Sequence, residues 1–388
     1  MAVFRIVLLL LITAYTLPLH ASDDLDTAGR AAAMDLLLER AVSRGLIVGG
    51  VVLVGNSDGI IYTSSLGKAG FSDTAPPVDE RTLFDVASLT KVIATTPAIM
   101  KLLETREISL LDPISRWFPE FAGTEREEVT ILNLLTHTSC LSDLPFYSLD
   151  PMTDAITAAG RQKCRTAPGS TFRYADINFI LLAELVHRVS GTSLDRFCTE
   201  HVFGPLGMGD TSFLPASGHQ GSIASTLGPA HEIRTGIVQD DNARILGGIA
   251  GHAGLFSTAA DLARFAVMLL HKGIANGKTI IDQQVLTQTI SPYFYSNGRV
   301  IRGLGWDISS PYSSPRGSSF SSASFGHTGY SGTSIWIDPE NDLYVILLTV
   351  RRNYRDIRHI SRLRSDISTI AASVFIPAHP ASRNREEM

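Results

Sequence analysis

Two β-hairpin patterns stand near opposite ends of this chain, and an isolated hairpin is not stable in water without a surface to cover it. Val48 to Val54 and Ile60 to Ser64 flank Asn56-Ser57-Asp58-Gly59, where Asp-Gly tolerates the positive φ of a tight turn. Ser334 to Ile337 and Leu343 to Val350 flank Asp338-Pro339-Glu340-Asn341-Asp342. Hairpins that join one antiparallel sheet cover each other, which brings the two ends of the chain together. Helical patterns supply the remaining cover. Asp26 to Arg44 places Ala28, Ala31, Ala32, Leu36, Leu38, Ala41 and Val42 at helical spacing, with Gly45 as its stop. From Asp356 onward, Ile357, Ile360, Leu363, Ile367, Ile370 and Val374 fall on one stripe.

Between the hairpins the periodicity is mostly helical, over 91–105, 131–135, 179–189, 194–203 and 259–271. The pattern predicts an α+β fold in a single domain over 22–376, with a sheet drawn from 46–66 and 325–350 and a helical region over about 91–290. Ser309 to Ser324, rich in Ser and Pro, reads as an exposed loop, and 377–388 as a disordered polar tail.

Composition narrows the function. With 44% hydrophobic and 18% charged residues the chain collapses into a core, which excludes an intrinsically disordered protein. A net charge of −5 provides no field to attract nucleic acid. The N-terminus is different in kind: Met1 to Arg5 is positive, Ile6 to Leu17 is apolar and too short to span a bilayer comfortably, and Leu19-His20-Ala21 resembles a peptidase site. Residues 1–21 therefore read as a signal peptide, the alternative being an uncleaved anchor, and the mature chain is expected to be exported, periplasmic or secreted, without a membrane span.

The chemistry centres on Ser88-Leu89-Thr90-Lys91. Residues three apart on a helix share a face, so Lys91 reaches Ser88 if a helix opens there, and its N-terminus favours a developing anion. Lys91 serves as base only if burial or positive charge lowers its pKa. Ser65-Leu66-Gly67-Lys68 has the same spacing but ends a strand at a Gly, whereas Ser88 leads into a helical pattern. Tyr174, placed after the Pro168-Gly169 turn and before a helix, is positioned to carry a proton. Gly326-His327-Thr328-Gly329-Tyr330-Ser331-Gly332 leads into a strand whose edge can pair with an extended peptide and offer an N–H to an oxyanion.

These segments resemble the serine β-lactamase and penicillin-binding-protein superfamily, in its class C β-lactamase-like branch. The resemblance spans roughly Leu37 to Ala372 and rests on Phe84 to Lys91, Leu134 to Ser139, the Tyr174 segment, Pro205 to Met208, Gly247-Gly248 with Gly251 to Thr258, and His327-Thr328-Gly329. It implies Ser88 as acylated nucleophile, Lys91 as base partner and Tyr174 as second acid and base. The amides of Ser88 and Tyr330 would form the oxyanion hole, with His327, Thr328 and Gly329 binding substrate. The implied fold is a five-stranded antiparallel sheet flanked by helices, plus a helical domain.

Two positions depart from the family. Its second motif usually carries Asn two residues after the Tyr; here Asp176 stands there, with Asn178 two further on, and either is a candidate for holding the substrate amide. Its third motif carries Lys in β-lactamases, and here has His327, only partly charged at neutral pH. On that reading a permanent cation is missing, and capture of a carboxylate weakens as pH rises from about 6 to 8. Peptide, amide or ester hydrolysis is then favoured over efficient β-lactam hydrolysis, with cell-wall D-alanyl peptides the leading substrate. The alternatives are a broad esterase and a penicillin- or cell-wall-binding protein with little turnover.

The substrate partner is thus a small molecule or peptide, peptidoglycan fragments included. No cofactor is expected, and no metal, since no two His or Cys residues have ligand spacing on a common element. His137 reads as a buried structural imidazole, while His252 either lines the cleft or fits a tight loop. The arginines at 351, 352, 355, 358, 362 and 364 read as the solvated face of the last helix, the alternative being an anionic-glycan or membrane contact. Of three cysteines, Cys140 and Cys164 are expected to bridge and Cys198 to be a buried free thiol, the alternative being three free thiols.

Overall fold

Val51, Val52, Leu53 and Val54 are all fully buried, so this strand has no solvent face and lies in a sheet covered on both sides. The computed structural model describes residues 20–376 apart from 145, 147–149, 216–218 and 220. Residues 1–19 of the expected leader and all of the expected tail lie outside the described residues. Eight antiparallel strands form the main sheet: β1 (Ile47–Asn56), β2 (Gly59–Gly67), β3 (Tyr293–Tyr295), β4 (Val300–Arg302), β5 (Asp307–Ser309), β6 (Phe325–Thr328), β7 (Ser334–Asp338) and β8 (Leu343–Arg351). Their spatial order is β3-β4-β5-β6-β7-β8-β1-β2. The two hairpins meet where β1 pairs with β8, in a register that sets Val51 opposite Leu348.

Five of these strands are the expected ones. The other three, β3 to β5, extend the sheet to eight, each only three residues long. Segments that short carry no readable alternation, and β5 meets β6 through a single pair, Asp307 with Gly326.

Side chains on the sheet alternate between two cores. Val51, Leu53, Ile335, Ile346 and Leu348 face the helical region, which includes α2 (Thr96–Glu104), α3 (Ile177–Ser190) and α4 (Ala259–Leu270). Val52, Val54, Trp336, Val345 and Leu347 face the terminal helices. There Met34 and Leu38 come from α1 (His20–Ser43), and Ile360, Leu363 and Ile367 from α5 (Ile357–Phe375). Gly45, at φ 68, ends the first helix as expected.

The Ser- and Pro-rich stretch differs from its expectation. Phe320 and Ser324 are buried, and Ser313 donates to Asp307 Oδ1 at 2.9 Å. This segment packs over the sheet and α5 because Asp307 and Asp338 gather its hydroxyls and amides; Ser321 donates to Asp338 from both Oγ and N, each at 2.6 Å.

Candidate active site

Asp85 builds the turn that presents Ser88. Its buried carboxylate accepts the Ala87 amide at 2.8 Å and the Gln239 amide at 2.7 Å. Burial raises this carboxyl to about 6, with the two amides holding it back. Ala87 is thereby fixed at φ 50, a left-handed conformation unusual for a residue with a Cβ. Ser88 follows in a single 3₁₀ turn, Ala87–Leu89, and a π-helical turn, Lys91–Thr95, leads into α2. A regular helix does not open at Ser88, yet the expected contact is made: Lys91 Nζ donates to Ser88 Oγ at 3.1 Å.

Lys91 is completely buried and lies 2.7 Å from Asp176 Oδ1. It also donates to the His252 carbonyl at 3.1 Å and sits 5.0 Å above the Tyr174 ring. Burial alone pulls the ammonium down, but the Asp176 carboxylate, with Tyr174 beside it, outweighs burial and leaves a net upward shift. Lys91 is therefore a cation at rest, contrary to the lowered pKa that a resting base requires. Burial also raises the Tyr174 phenol, although Lys91 pulls it the other way.

Ser88, Tyr174 and Tyr330 border two lobes of one cleft. The larger, of about 1080 Å³, is also lined by Asp176, Gln239, Asp240 and Arg355. The smaller, of about 400 Å³, is lined by His327, Thr328, Gly329, Arg302 and Tyr312. Gly329 is required by close approach: a Cβ there would lie 2.5 Å from the Val86 carbonyl, so the β6–β7 turn can touch the Ser88 turn only through glycine. The structure thus brings Ser88, Lys91, Tyr174, Tyr330, Asp176, His327, Thr328 and Gly329 to one cleft.

Asn178 is not among them. It is fully buried in α3, where Oδ1 accepts Ser139 Oγ at 2.5 Å and Nδ2 donates to the Ala175 carbonyl at 3.0 Å. Its amide is spent on the turn beneath Tyr174, which leaves Asp176 as the second-motif side chain that faces the cleft.

His327 differs from its expected behaviour. Burial, followed by the neighbouring charges of Arg302 and Lys91, holds the imidazole well below its usual pKa. The shift favours the neutral imidazole, opposite to the partial charge expected of it at neutral pH. A guanidinium borders the same lobe: Arg302, buried on β4. Its guanidinium lies 3.3 Å from Asp307 and 5.5 Å above the Phe172 ring, and its Nε has no hydrogen-bond partner among the described residues. Nothing local marks this residue, because its role depends on a three-residue strand. Two arginines of the terminal run are likewise buried rather than solvated. Arg351 donates to the Tyr330 carbonyl at 2.7 Å, and Arg364 to the Gly329 and Thr333 carbonyls at 2.6 and 2.9 Å.

His137 is structural, as expected: buried at φ 56, it stacks on Tyr174 at 4.4 Å, and Nδ1 accepts the Ala175 amide at 3.2 Å. His252 is buried in its loop and does not border either lobe of the cleft; its carbonyl accepts from Lys91, while Nε2 meets Asp240 Oδ1 at 2.9 Å. Burial would raise Asp240, but the His252 contact brings its carboxyl down to about 2. Asp176, Asp240 and His252 have ligand-type atoms within 4.8 Å of one another, the one such group among the described residues. Within this group Asp176 pairs with Lys91, and Asp240 with His252 Nε2. Cys140 and Cys164 form a disulfide with Cα atoms 5.7 Å apart, and Cys198 is a buried free thiol.

A family profile described as Beta-lactamase matches residues 34–366. A protein of Escherichia coli (strain K12), provisionally named a D-alanyl-D-alanine carboxypeptidase, is 28% identical over 339 residues, 77% of each chain. Among solved structures, a class C beta-lactamase superposes with a TM-score of 0.73 at 21% identity, covering 90% of this chain and 97% of that one. A penicillin-binding protein homologue from Caulobacter crescentus gives a TM-score of 0.73 at 20% identity, covering 89% and 97%. EstCE1, a hydrolase with promiscuous acyltransferase activity, gives 0.73 at 21% identity, covering 90% and 99%. With its Ser-Lys pair in contact beside a tyrosine and its sheet built from both ends, this chain belongs to the beta-lactamase family of serine hydrolases.

Proposed function

We propose that the chain is an exported hydrolase of small peptides that end in a carboxylate, cell-wall D-alanyl peptides foremost, acting through an acyl-Ser88 intermediate. The observation that carries the substrate class is the buried Arg302, whose Nε has no hydrogen-bond partner among the described residues and which shares the lobe beside Ser88 with Thr328 and His327, a cation able to meet a peptide's carboxylate. The name of the Escherichia coli relative supports the same class. In the molecules whose Lys91 has released a proton to solvent, Ser88 Oγ bonds to the scissile carbonyl carbon as its own proton passes, by way of Tyr174, to the free Lys91 amine. The carbonyl oxygen gains negative charge facing the Ser88 and Tyr330 amides. The C–N bond then breaks, the departing amine takes that proton, and water releases the acyl group. The Cys140–Cys164 disulfide supports an oxidising compartment, in keeping with the N-terminal leader pattern.

Mass spectrometry after exposure to a diacetylated Lys-D-Ala-D-Ala peptide, a chromogenic ester and a fluorescent penicillin tests the proposal. Release of D-alanine by the native chain, with no acyl adduct or turnover in Ser88→Ala, is the expected result. Ester turnover without D-alanine release replaces the peptidase with an esterase. Stable penicillin label without any turnover replaces it with a binding protein.

A further inference from the structure

On the far side of the Tyr174 segment from the catalytic cleft lies a second, cationic cavity of about 470 Å³. Three charged side chains line it, Lys163, Arg165 and Arg173, with the hydroxyls of Ser142, Thr166 and Thr171 and the Cys140 half of the disulfide. No carboxylate lines it, and none of the three cations forms an ion pair among the described residues. All three are exposed. The cavity shares no lining residue with either lobe of the cleft.

Its walls are fixed from several directions. The Cys140–Cys164 bridge joins the two loops, and Gln162 clamps Ser142 from both ends of its amide: Oε1 accepts the Ser142 amide at 2.8 Å and Nε2 donates to its carbonyl at 2.7 Å. Backbone bonds from Gly169 to the Thr138 carbonyl and from Arg173 to the His137 carbonyl, both 2.8 Å, hold the far wall. Along that wall successive side chains point to opposite sides. Thr171 and Arg173 face the cationic cavity, while Phe172 and Tyr174 face Tyr312, His137 and the cleft. Three cations converging on a preorganised, hydroxyl-lined concavity with no internal counterion leave a site short of negative charge.

We propose that this cavity binds phosphate groups of an anionic glycan, holding the chain against a phosphate-bearing polymer while the cleft works. Guanidinium forks match phosphate oxygens in pairs, and hydroxyls fill the remaining acceptor positions. The volume suits one sugar-phosphate unit rather than a whole chain. A bilayer surface fits less well, because the site is concave and its lining offers no apolar side chain to insert. The source of the phosphate, polymer-borne or free, is left to the experiment.

The test is calorimetric titration of the full chain at about 0.15 M salt, an ionic strength that screens casual surface contacts. The probes are inorganic phosphate, a glycerol-phosphate oligomer, a neutral chitin oligomer and vesicles containing phosphatidylglycerol. The expected result is saturable binding of the oligomer, weakened at least about tenfold in Lys163→Glu/Arg165→Glu, with the chitin oligomer inert. Binding of free phosphate alone, lost in the same variant, keeps the site and assigns it to a small anion. Equal binding by native chain and variant, no binding of either phosphate probe, or binding to vesicles only overturns the proposal. The variant changes exposed side chains outside the cleft, so its ester turnover and melting temperature should match the native chain. The readout is independent of acylation, so its outcome is separate from that of the hydrolase assignment.

Discussion

Asp176 stands where the family usually carries asparagine, and that single difference fixes the charge of Lys91. The carboxylate at 2.7 Å favours the ammonium against burial, which opposes it. In Asp176→Asn burial loses its strongest opponent, and the Lys91 pKa should fall. A neutral amine then exists at lower pH, so the limb of acylation that rises with pH should move the same way. Burst kinetics with a chromogenic ester from pH 5 to 10, together with ¹⁵N titration of Lys91, measure it; an unmoved limb would show that Lys91 does not take the serine proton. Arg302 carries the second argument at this scale. With burial holding the His327 imidazole toward its neutral form, affinity for a carboxylate-bearing peptide should be flat from pH 6 to 8. Arg302→Gln should raise KM for that peptide about tenfold or more, and leave turnover of an uncharged ester nearly unchanged. Loss of both activities alike would make Arg302 a structural residue only.

At the scale of elements, what could be read in advance was what is local. The Asp58-Gly59 turn, the β-branched runs of β1 and β8 and the Ser88–Lys91 spacing are each contained within about ten residues, and each stands as expected. Arg302 and Arg364 were not legible, because one acquires its role from a strand too short to show a period and the other from carbonyls 31 to 35 residues away. The unusual backbone at Ala87 was hidden for the same reason, since Gln239, on a distant loop, completes the bonding of Asp85. The disulfide was readable as a pairing but not as a wall. It closes a loop with a sequence separation of 24, so by the chain-entropy argument Cys164→Ser should lose about 3 kcal/mol. A fall of several degrees in melting temperature is the expected reading. An unchanged melting temperature would mean that the Gln162–Ser142 clamp and the backbone bonds suffice alone.

Across the whole molecule, one sheet serves two cores, and neither core can be lost without removing the other's wall. Trp306 belongs to the helical-side core and Trp336 to the core beneath α1 and α5. Fluorescence of Trp306→Phe and Trp336→Phe proteins in urea should therefore report coincident midpoints, matched by far-UV circular dichroism. Separate midpoints would show that the two layers melt independently. The junction of β1 with β8 has a further consequence in time. A ribosome releases β1 long before its partner, so at ordinary elongation rates the strand waits for tens of seconds with an apolar edge unpaired. His327, Tyr330 and the arginines that anchor their turn also emerge only then. The newborn polypeptide therefore carries its nucleophile through that whole interval without the means to use it, and a translation product that stops short of β8 is both inert and prone to aggregate.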